Sequence, residues 1–469
     1  MRRTKIVCTI GPASREEGIL RELIRAGMDV ARINFSHGDR TTHASDISLI
    51  RRLAAEEGRL VAILGDLQGP RLRVGEIPGG KMLLSEGETV SLTAHPAPPS
   101  QIPLPYADWL SDLSPGDRIL LDDGLLELEV EEASPAGACC KVLAGGVLLS
   151  RKGISLPGVS LSLPSLTEKD KEDVDFALEQ GVDYLALSFV RRASDIFSLK
   201  GLLEEKGAEI PIIAKIEKRE ALENFDEILA ASDGVMVARG DLGVEIPAEE
   251  VPTHQKEIIR KANEAGKPVI TATQMLDSMM QHPRPTRAEA SDVANAIWDG
   301  TDALMLSGET AVGKYPIEAV KMMARIAITA EKAFPYEDWA RRAAFEIACT
   351  PTDAISQATC EIALELGARV IVTSTTTGYT ARMVAKHRPA TPIIAITPSP
   401  ATQRCLALVW GVESFLVESF SNTDQMIETA VNTAREKGLV EKGDTVVITA
   451  GVPLGGPGRT NMLKIEIIE

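Results

Sequence analysis

The sequence predicts an α/β protein built on a (β/α)8 barrel, with a β-rich domain inserted after the third barrel strand and an α/β domain at the C-terminal end. Three observations predict it. Eight short apolar runs alternate with helical patterns. The alternation breaks over residues 70–164, which contain turn clusters and no convincing long helix. After about residue 338 a second, shorter series of strands and helices begins. The expected units are therefore 1–69 with 165–338 for the barrel, 70–164 for the insertion and 339–469 for the C-terminal domain. A doubly wound open sheet is the structural alternative, since eight strands alone do not exclude it.

The elements follow in order. KIVCTI (5–10) is the first strand. Ser14 and Glu17 have capping-box spacing ahead of Ile19, Leu20, Leu23 and Ile24, which predicts a helix ending at Gly27. VARINFS (30–36) and VAILGDL (61–67) are the next strands, separated by a helix over 41–57. Inside the insertion, RILLDD and LLELEVEE alternate between turns such as Ser114-Pro115-Gly116-Asp117 and the proline cluster from Pro96 to Pro105. Thr167 then caps a helix through Gln180. Five further strands are expected at 183–190, 211–217, 234–242, 268–274 and 302–309, with a last barrel helix at 316–334. The final domain reads helix 353–366, strand RVIVTST, helix 379–387, strand PIIAIT, helix 400–409, strand FLVE, helix 423–437 and strands TVVITA and MLKIEII.

Composition bounds the function. A chain of 469 residues is long enough for about three domains. Its 44% hydrophobic and 25% charged content is ordinary for a globular protein. Aromatics are only 4%, so Leu, Ile, Val and Ala must build the core. A net charge of −17 argues against general binding to nucleic acid or anionic membrane, but not against a small anion held by a few placed cations. The longest uncharged stretch, 89–107, contains five prolines and does not read as a membrane span. The N-terminal apolar run is too short for a signal sequence. Six cysteines with no CxxC spacing read as free thiols in the cytoplasm. Of these, Cys139 and Cys140 read as small hydrophobes.

In a parallel barrel, chemistry gathers at the C-terminal ends of the strands. Six expected strands end in polar groups: Arg32, Asn34 and Ser36; Asp66; Lys215 and Glu217; Arg239, Gly240 and Asp241; Thr273 and Gln274; Ser307 and Glu309. One such pair is unremarkable; six together point to a site. Glu217 and Asp241 are hard oxygen ligands suited to Mg²⁺. Lys215 and Arg32 add positive charge. The Gly240 and Asp241 amides open a turn that can hold a phosphate or carboxylate. This set suits phosphoryl transfer or an enolate intermediate. No GxxxxGK[ST] is present, so the phosphate device is not a P-loop.

At this point the segments TKIVCTIGPAS, ARINFSHG, KGISLPG, DGVMVARGDLGVEIP, TATQMLDSM, PTRAEASDVANAIWDGTDALMLSGETAVGKYP and GVPLGGPGRTN closely resemble the pyruvate kinase family over nearly the whole chain. The resemblance implies a catalytic barrel, a lid-like insertion and a regulatory C-terminal domain. It implies transfer of a phosphoryl group from phosphoenolpyruvate to ADP, giving pyruvate and ATP in glycolysis. It implies Mg²⁺, with Mn²⁺ as a substitute, held by Glu217 and Asp241. Lys215 would stabilise the phosphoryl group in flight, and Thr273 would stand beside the enolate carbon. Arg32 and the Gly240 and Asp241 amides would bind substrate. Asn34, His37, Arg73 and Lys152 would contact the nucleotide. Asn34, Ser36, Asp66 and Leu67 match the monovalent-cation site. Thr373, Ser374, Thr375 and Thr377 match a loop that binds phosphorylated effectors. A cytoplasmic homotetramer is the implied assembly, and the extra C-terminal domain of some bacterial relatives is not expected.

One departure is informative. Many relatives read Asp-Thr-Lys-Gly-Pro-Glu after strand 3 and need K⁺. Here the segment is Asp66-Leu67-Gln68-Gly69-Pro70-Arg71, with Val74 in place of a usual Thr. A guanidinium at Arg71 could supply the charge that K⁺ otherwise provides, as in bacterial K⁺-independent members. Two other classes stay open at this stage: an aldolase using Lys215 as a Schiff base, and a non-catalytic effector-binding protein.

Overall fold

The computed structural model describes residues 2–94, 101–337, 339, 350–453 and 459–469. Part of the expected proline cluster (96–100) and part of the GVPLGGPGRTN segment (454–458) lie outside them, as do 338 and 340–349 around the expected C-terminal boundary.

Eight strands close a parallel barrel: β1 (Lys5–Thr9), β2 (Val30–Asn34), β3 (Ala62–Asp66), β4 (Tyr184–Leu187), β5 (Ile212–Ile216), β6 (Gly234–Ala238), β7 (Val269–Ala272) and β8 (Ala303–Leu306). Each pairs with its sequence neighbour, and β8 returns to β1. The open-sheet alternative is thereby excluded. Strand alternation sets the layers. Ile6, Ile33, Ile63, Leu185 and Ile212 face outward to the helices. Val7, Val30, Leu64, Ala186, Ile213, Met236 and Met305 fill the interior. Two residues further along the same inward face come Thr9, Arg32, Asp66, Ser188 and Lys215. The apolar layer thus ends in a polar one at the C-terminal mouth.

Several strand ends differ from the sequence expectation. β6 stops at Ala238, and Arg239–Glu245 is a helix. The helix begins without any side-chain cap, so no N-terminal signal was available in the sequence. β8 likewise gives way to a short helix at Gly308–Ala311. The expected Ser14 cap does not form: the helix Glu17–Ala26 starts after Glu16, and Ser14 instead accepts the Gly11 amide at 3.0 Å. Thr167 does cap Glu168–Gln180, reciprocally with Asp170.

The insertion forms a six-stranded sheet and a two-stranded ribbon around its own core, which includes Val74, Leu92, Trp109 and Leu128. Leu161 and Leu163 still pack against that core.

In the last domain, β9 (Val370–Ser374), β10 (Ile393–Thr397), β11 (Val412–Leu416), β12 (Thr445–Ala450) and β13 (Met462–Ile467) lie in the order β11-β10-β9-β12-β13. Only β13 runs antiparallel. β11 begins earlier than the expected FLVE run. Apolar clusters cover both sheet faces.

This domain also floors the barrel. Ala407 and Leu408 join the interior cluster, and the Tyr184 hydroxyl donates to the Cys405 carbonyl at 2.7 Å. Nearby, the buried Arg388 donates to the Gly300 carbonyl at 2.7 Å, pairs with Asp302 at 3.2 Å and lies 4.9 Å from the Trp410 ring centroid. Among the described residues no helix is long and apolar enough to cross a membrane, and the cysteines are free.

Candidate active site

The polar layer is a charge network. Lys215 Nζ lies 2.8 Å from Glu217 Oε1 and 3.3 Å from Asp66 Oδ1. Arg32 Nε donates to Asp66 Oδ2 at 2.6 Å, and its Nη1 to Thr9 Oγ1 at 2.9 Å. These groups are almost fully enclosed, so each charge requires its partners. Burial alone would push the Lys215 ammonium down, but Asp66 and Glu217 outweigh it and the net direction is up. Burial also pushes the Asp66 carboxyl up, and Lys215 with Arg32 reverses that to a net lowering. Glu217 is pushed up by burial, pulled back by Lys215 and pushed up again by Asp241. A lysine held firmly protonated is a poor Schiff-base nucleophile, which removes the ground for the aldolase reading.

Asp241 is exposed on the helix that follows β6, within electrostatic reach of Lys215 and Glu217. Among the described residues no three His, Cys, Asp or Glu side chains gather as a closed metal site. A buried Glu217 and an exposed Asp241 are the hard oxygen donors that Mg²⁺ takes, its remaining ligands coming from water and substrate phosphates.

Thr273 sits just past β7 with φ 67, and Gln274 follows with φ 54. A β-branched residue in the left-handed region is strained. Arg239 holds the turn: it donates to the Thr273 carbonyl at 2.8 Å and the Gln274 carbonyl at 3.1 Å, and is anchored by Asp292 at 2.7 Å. The result is that Thr273 Oγ1 accepts the Gly240 amide at 2.7 Å. The hydroxyl and the amide expected at the substrate therefore meet, and in this state they satisfy each other. Glu309, buried, accepts the Leu276 amide at 3.0 Å and the Ser307 amide at 2.8 Å, so its role is to shape the turns after β7 and β8.

Asn34 and Ser36 lie at the end of β2, where Asn34 Oδ1 accepts the Ser36 amide at 3.1 Å. His37, Arg71 and Arg73 lie within electrostatic reach of one another near the start of the insertion. Burial and then the charges of Arg73, Arg71 and Arg32 push His37 down. Burial and Arg71 push Arg73 down as well. Arg71 is only partly exposed and makes no side-chain hydrogen bond or ion pair among the described residues. Lys152 pairs with Asp122 at 2.7 Å. Val74 is packed in the insertion's core and its amide donates to the Lys152 carbonyl at 2.8 Å.

The threonine-rich turn lies in the other domain. Thr373 is turned into the sheet, donating to the Ile394 carbonyl at 3.2 Å, and Ser374 and Thr375 are buried beside it. Thr377 is exposed, with Arg382 Nη1 3.3 Å from its carbonyl. No threonine caps the following helix, whose N-cap is Gly378.

Two groups were missed in the sequence, both from the end of β4. Ser188 Oγ accepts from Lys215 Nζ at 2.7 Å and donates to the Leu67 carbonyl at 2.7 Å. The Phe189 amide donates to Glu217 Oε2 at 2.8 Å. The inward alternation from Tyr184 through Ala186 points to Ser188, but nothing in the sequence marks Phe189, whose φ is 56.

The chain matches the family model for the pyruvate kinase barrel domain over residues 1–320 and that for the pyruvate kinase alpha/beta domain over residues 353–466. It is 53% identical over 472 residues to a pyruvate kinase from Geobacillus stearothermophilus, spanning 100% of this chain and 80% of that protein. A pyruvate kinase from Staphylococcus saprophyticus is 50% identical over 473 residues, spanning 100% and 81%. The crystal structure of a pyruvate kinase from Cryptosporidium parvum superposes with a TM-score of 0.94 at 39% identity, covering 100% of this chain and 96% of that one. A closed barrel with a charged mouth, family models matched over both domains and half-identical relatives agree: the chain belongs to the pyruvate kinase family and is a phosphate-transferring kinase.

Proposed function

We propose that this protein transfers the phosphoryl group of phosphoenolpyruvate to ADP, forming pyruvate and ATP in cytoplasmic glycolysis. The observation that carries the reading is the buried Arg32–Asp66–Lys215–Glu217 network beside Asp241. Both substrates are anions, and like unit charges 4 Å apart repel by about 4 kcal/mol at an effective dielectric of 20. Lys215 and Arg32, paired with Asp66 and Glu217, offset that repulsion at the transferring group. Glu217 and Asp241 would hold Mg²⁺ or Mn²⁺, which supplies charge neutralisation at the phosphoryl oxygens. Thr273 would face the enolate carbon, its hydroxyl exchanging the Gly240 amide for substrate. His37, Arg73 and Lys152 would meet the nucleotide. The 70–164 insertion would act as the lid that excludes water.

The same reading makes K⁺ unnecessary. Asp66, part of the expected monovalent site with Asn34, Ser36 and the Leu67 carbonyl, already has a cation on each carboxylate oxygen. Arg71 adds a further unpaired charge, within electrostatic reach of His37. Regulation is assigned to a sugar phosphate or nucleotide monophosphate at Ser374, Thr375 and Thr377, where the helix start is free of side-chain caps. Self-association, with a homotetramer as the proposed assembly, is supported by the outer edge of β13, where Ile465 and Ile467 are exposed on either side of Glu466.

The test is pyruvate formation from phosphoenolpyruvate and ADP with Mg²⁺ in a buffer free of monovalent metal ions. Turnover supports the kinase reading and Arg71 as the built-in charge. Rescue only by K⁺ keeps the kinase and removes the Arg71 assignment. Silence with K⁺ and candidate effectors present reopens the effector-binding reading.

A further inference from the structure

Three residues just after β4, Ser188, Phe189 and Arg191, between them touch the catalytic pair and both ends of the insertion. Ser188, nearly fully buried, joins Lys215 to the Leu67 carbonyl. Phe189 gives its amide to Glu217. Its ring packs on the outgoing hinge: a Cβ at Gly69 would stand 2.7 Å from that ring. Lys218 Nζ lies 6.0 Å from the ring centroid. Arg191, also buried, reaches the returning hinge, donating to the Leu161 carbonyl and, at 2.7 Å, to the Leu163 carbonyl. The segment is itself anchored, with the Arg191 amide on Asp195 at 2.8 Å and the Arg191 carbonyl on Asn224 at 2.9 Å.

Phe189 is the sensitive point. A bulky residue at φ 56 is held there only by its surroundings. Those surroundings are the hinge residue Gly69 on one side and the Glu217 carboxylate on the other. Motion of the insertion about 69–70 and 161–164 must pull on residues 189 and 191, and so on the carboxylate that Phe189 orients.

We propose that Ser188, Phe189 and Arg191 are positioning residues that couple the placement of the insertion to the geometry of Lys215 and Glu217. This rests on the reading of Glu217 as a divalent-cation ligand. Outer partners of a metal ligand commonly change affinity or activity by about 10- to 100-fold. Arg191 lies two residues beyond the group that touches Glu217 and bonds to the insertion, so a purely structural role would leave cation affinity untouched.

The experiment is direct titration of the full-length protein with Mn²⁺, without substrate, for wild type, Arg191→Lys and Arg191→Gln, together with steady-state kinetics of Ser188→Ala and Ser188→Thr. Lysine can reach only one of the two carbonyls and keeps the charge, so it provides a folded variant if glutamine does not. The expected result is about 10-fold weaker Mn²⁺ binding in an Arg191 variant that melts like wild type. For Ser188→Ala, kcat falls about 10- to 100-fold with little change in KM, and Ser188→Thr recovers most of it. Wild-type Mn²⁺ affinity in a folded Arg191 variant overturns the coupling, as does wild-type kcat in Ser188→Ala. Failure of the wild type itself to bind Mn²⁺ sinks the metal-site reading instead, which keeps the two failures distinct.

Discussion

Lowering the pH should destabilise this protein through one buried histidine. His387 follows the helix Tyr379–Ala385, is 3% exposed, and its Nε2 has no hydrogen-bond partner among the described residues. Burial, and then the neighbouring Lys386, lower it from 6.5 to about 4, with Asp353 opposing and Arg388 assisting. The sign follows from proton counting. Above 6.5 the imidazole is neutral in both states and its contribution is complete. Between 6.5 and about 4 the unfolded chain takes up a proton that the native site refuses, so stability falls as the pH falls. Each pH unit of that window is worth about 1.4 kcal/mol, giving a loss of about 2.5 kcal/mol by about pH 4.5. The assay is urea unfolding at fixed protein concentration from about pH 7.5 to about pH 4.5, for wild type and His387→Phe. The substituted ring keeps the volume and cannot titrate. The variant's stability relative to wild type should therefore rise by about 2.5 kcal/mol across that range. A difference that stays constant with pH would refute the reasoning.

Three further outcomes are expected. Arg71→Glu should remove most turnover in monovalent-free buffer and make the enzyme respond to added K⁺; a variant still indifferent to K⁺ would dismiss Arg71 as the built-in charge. Gly69→Ala places a Cβ 2.7 Å from the Phe189 ring at a backbone φ of +66; the left-handed strain alone costs about 1–2 kcal/mol, read as a lower Tm. The double substitution Thr375→Ala with Thr377→Ala should abolish activation by a phosphorylated metabolite while leaving basal kcat unchanged, and an unaltered activation curve would place the effector elsewhere.

The barrel was legible because its strands carry a strict inward–outward alternation that ends in charge. Arg32, Asp66 and Lys215 are each two residues beyond an interior apolar side chain, so periodicity alone placed them at one mouth. What the sequence concealed is where backbone turns abruptly. The run Gly234 to Leu242 reads as one strand, yet Arg239–Glu245 is helical. Its start is stabilised from outside, by Thr273 Oγ1 on the Gly240 amide, a contact 33 residues away in sequence. The Ser14 cap failed for a related reason: a closer amide, that of Gly11, took the hydroxyl. Phe189 acts through its backbone, and a main-chain donor leaves no trace in residue type.

The contact of Ala407 and Leu408 with the barrel interior has a consequence for biosynthesis. All eight strands and the last barrel helix, Pro316–Lys332, have left the ribosome well before residue 408 appears. At about 5–20 residues per second, the nascent barrel spends on the order of several seconds with its apolar lower end open to solvent. That interval is when the chain most needs a holding chaperone, and a premature stop between these points would leave the opening permanent. Quality control of this protein should thus act on the late-emerging domain, although the charged mouth of the barrel lies in the part made first.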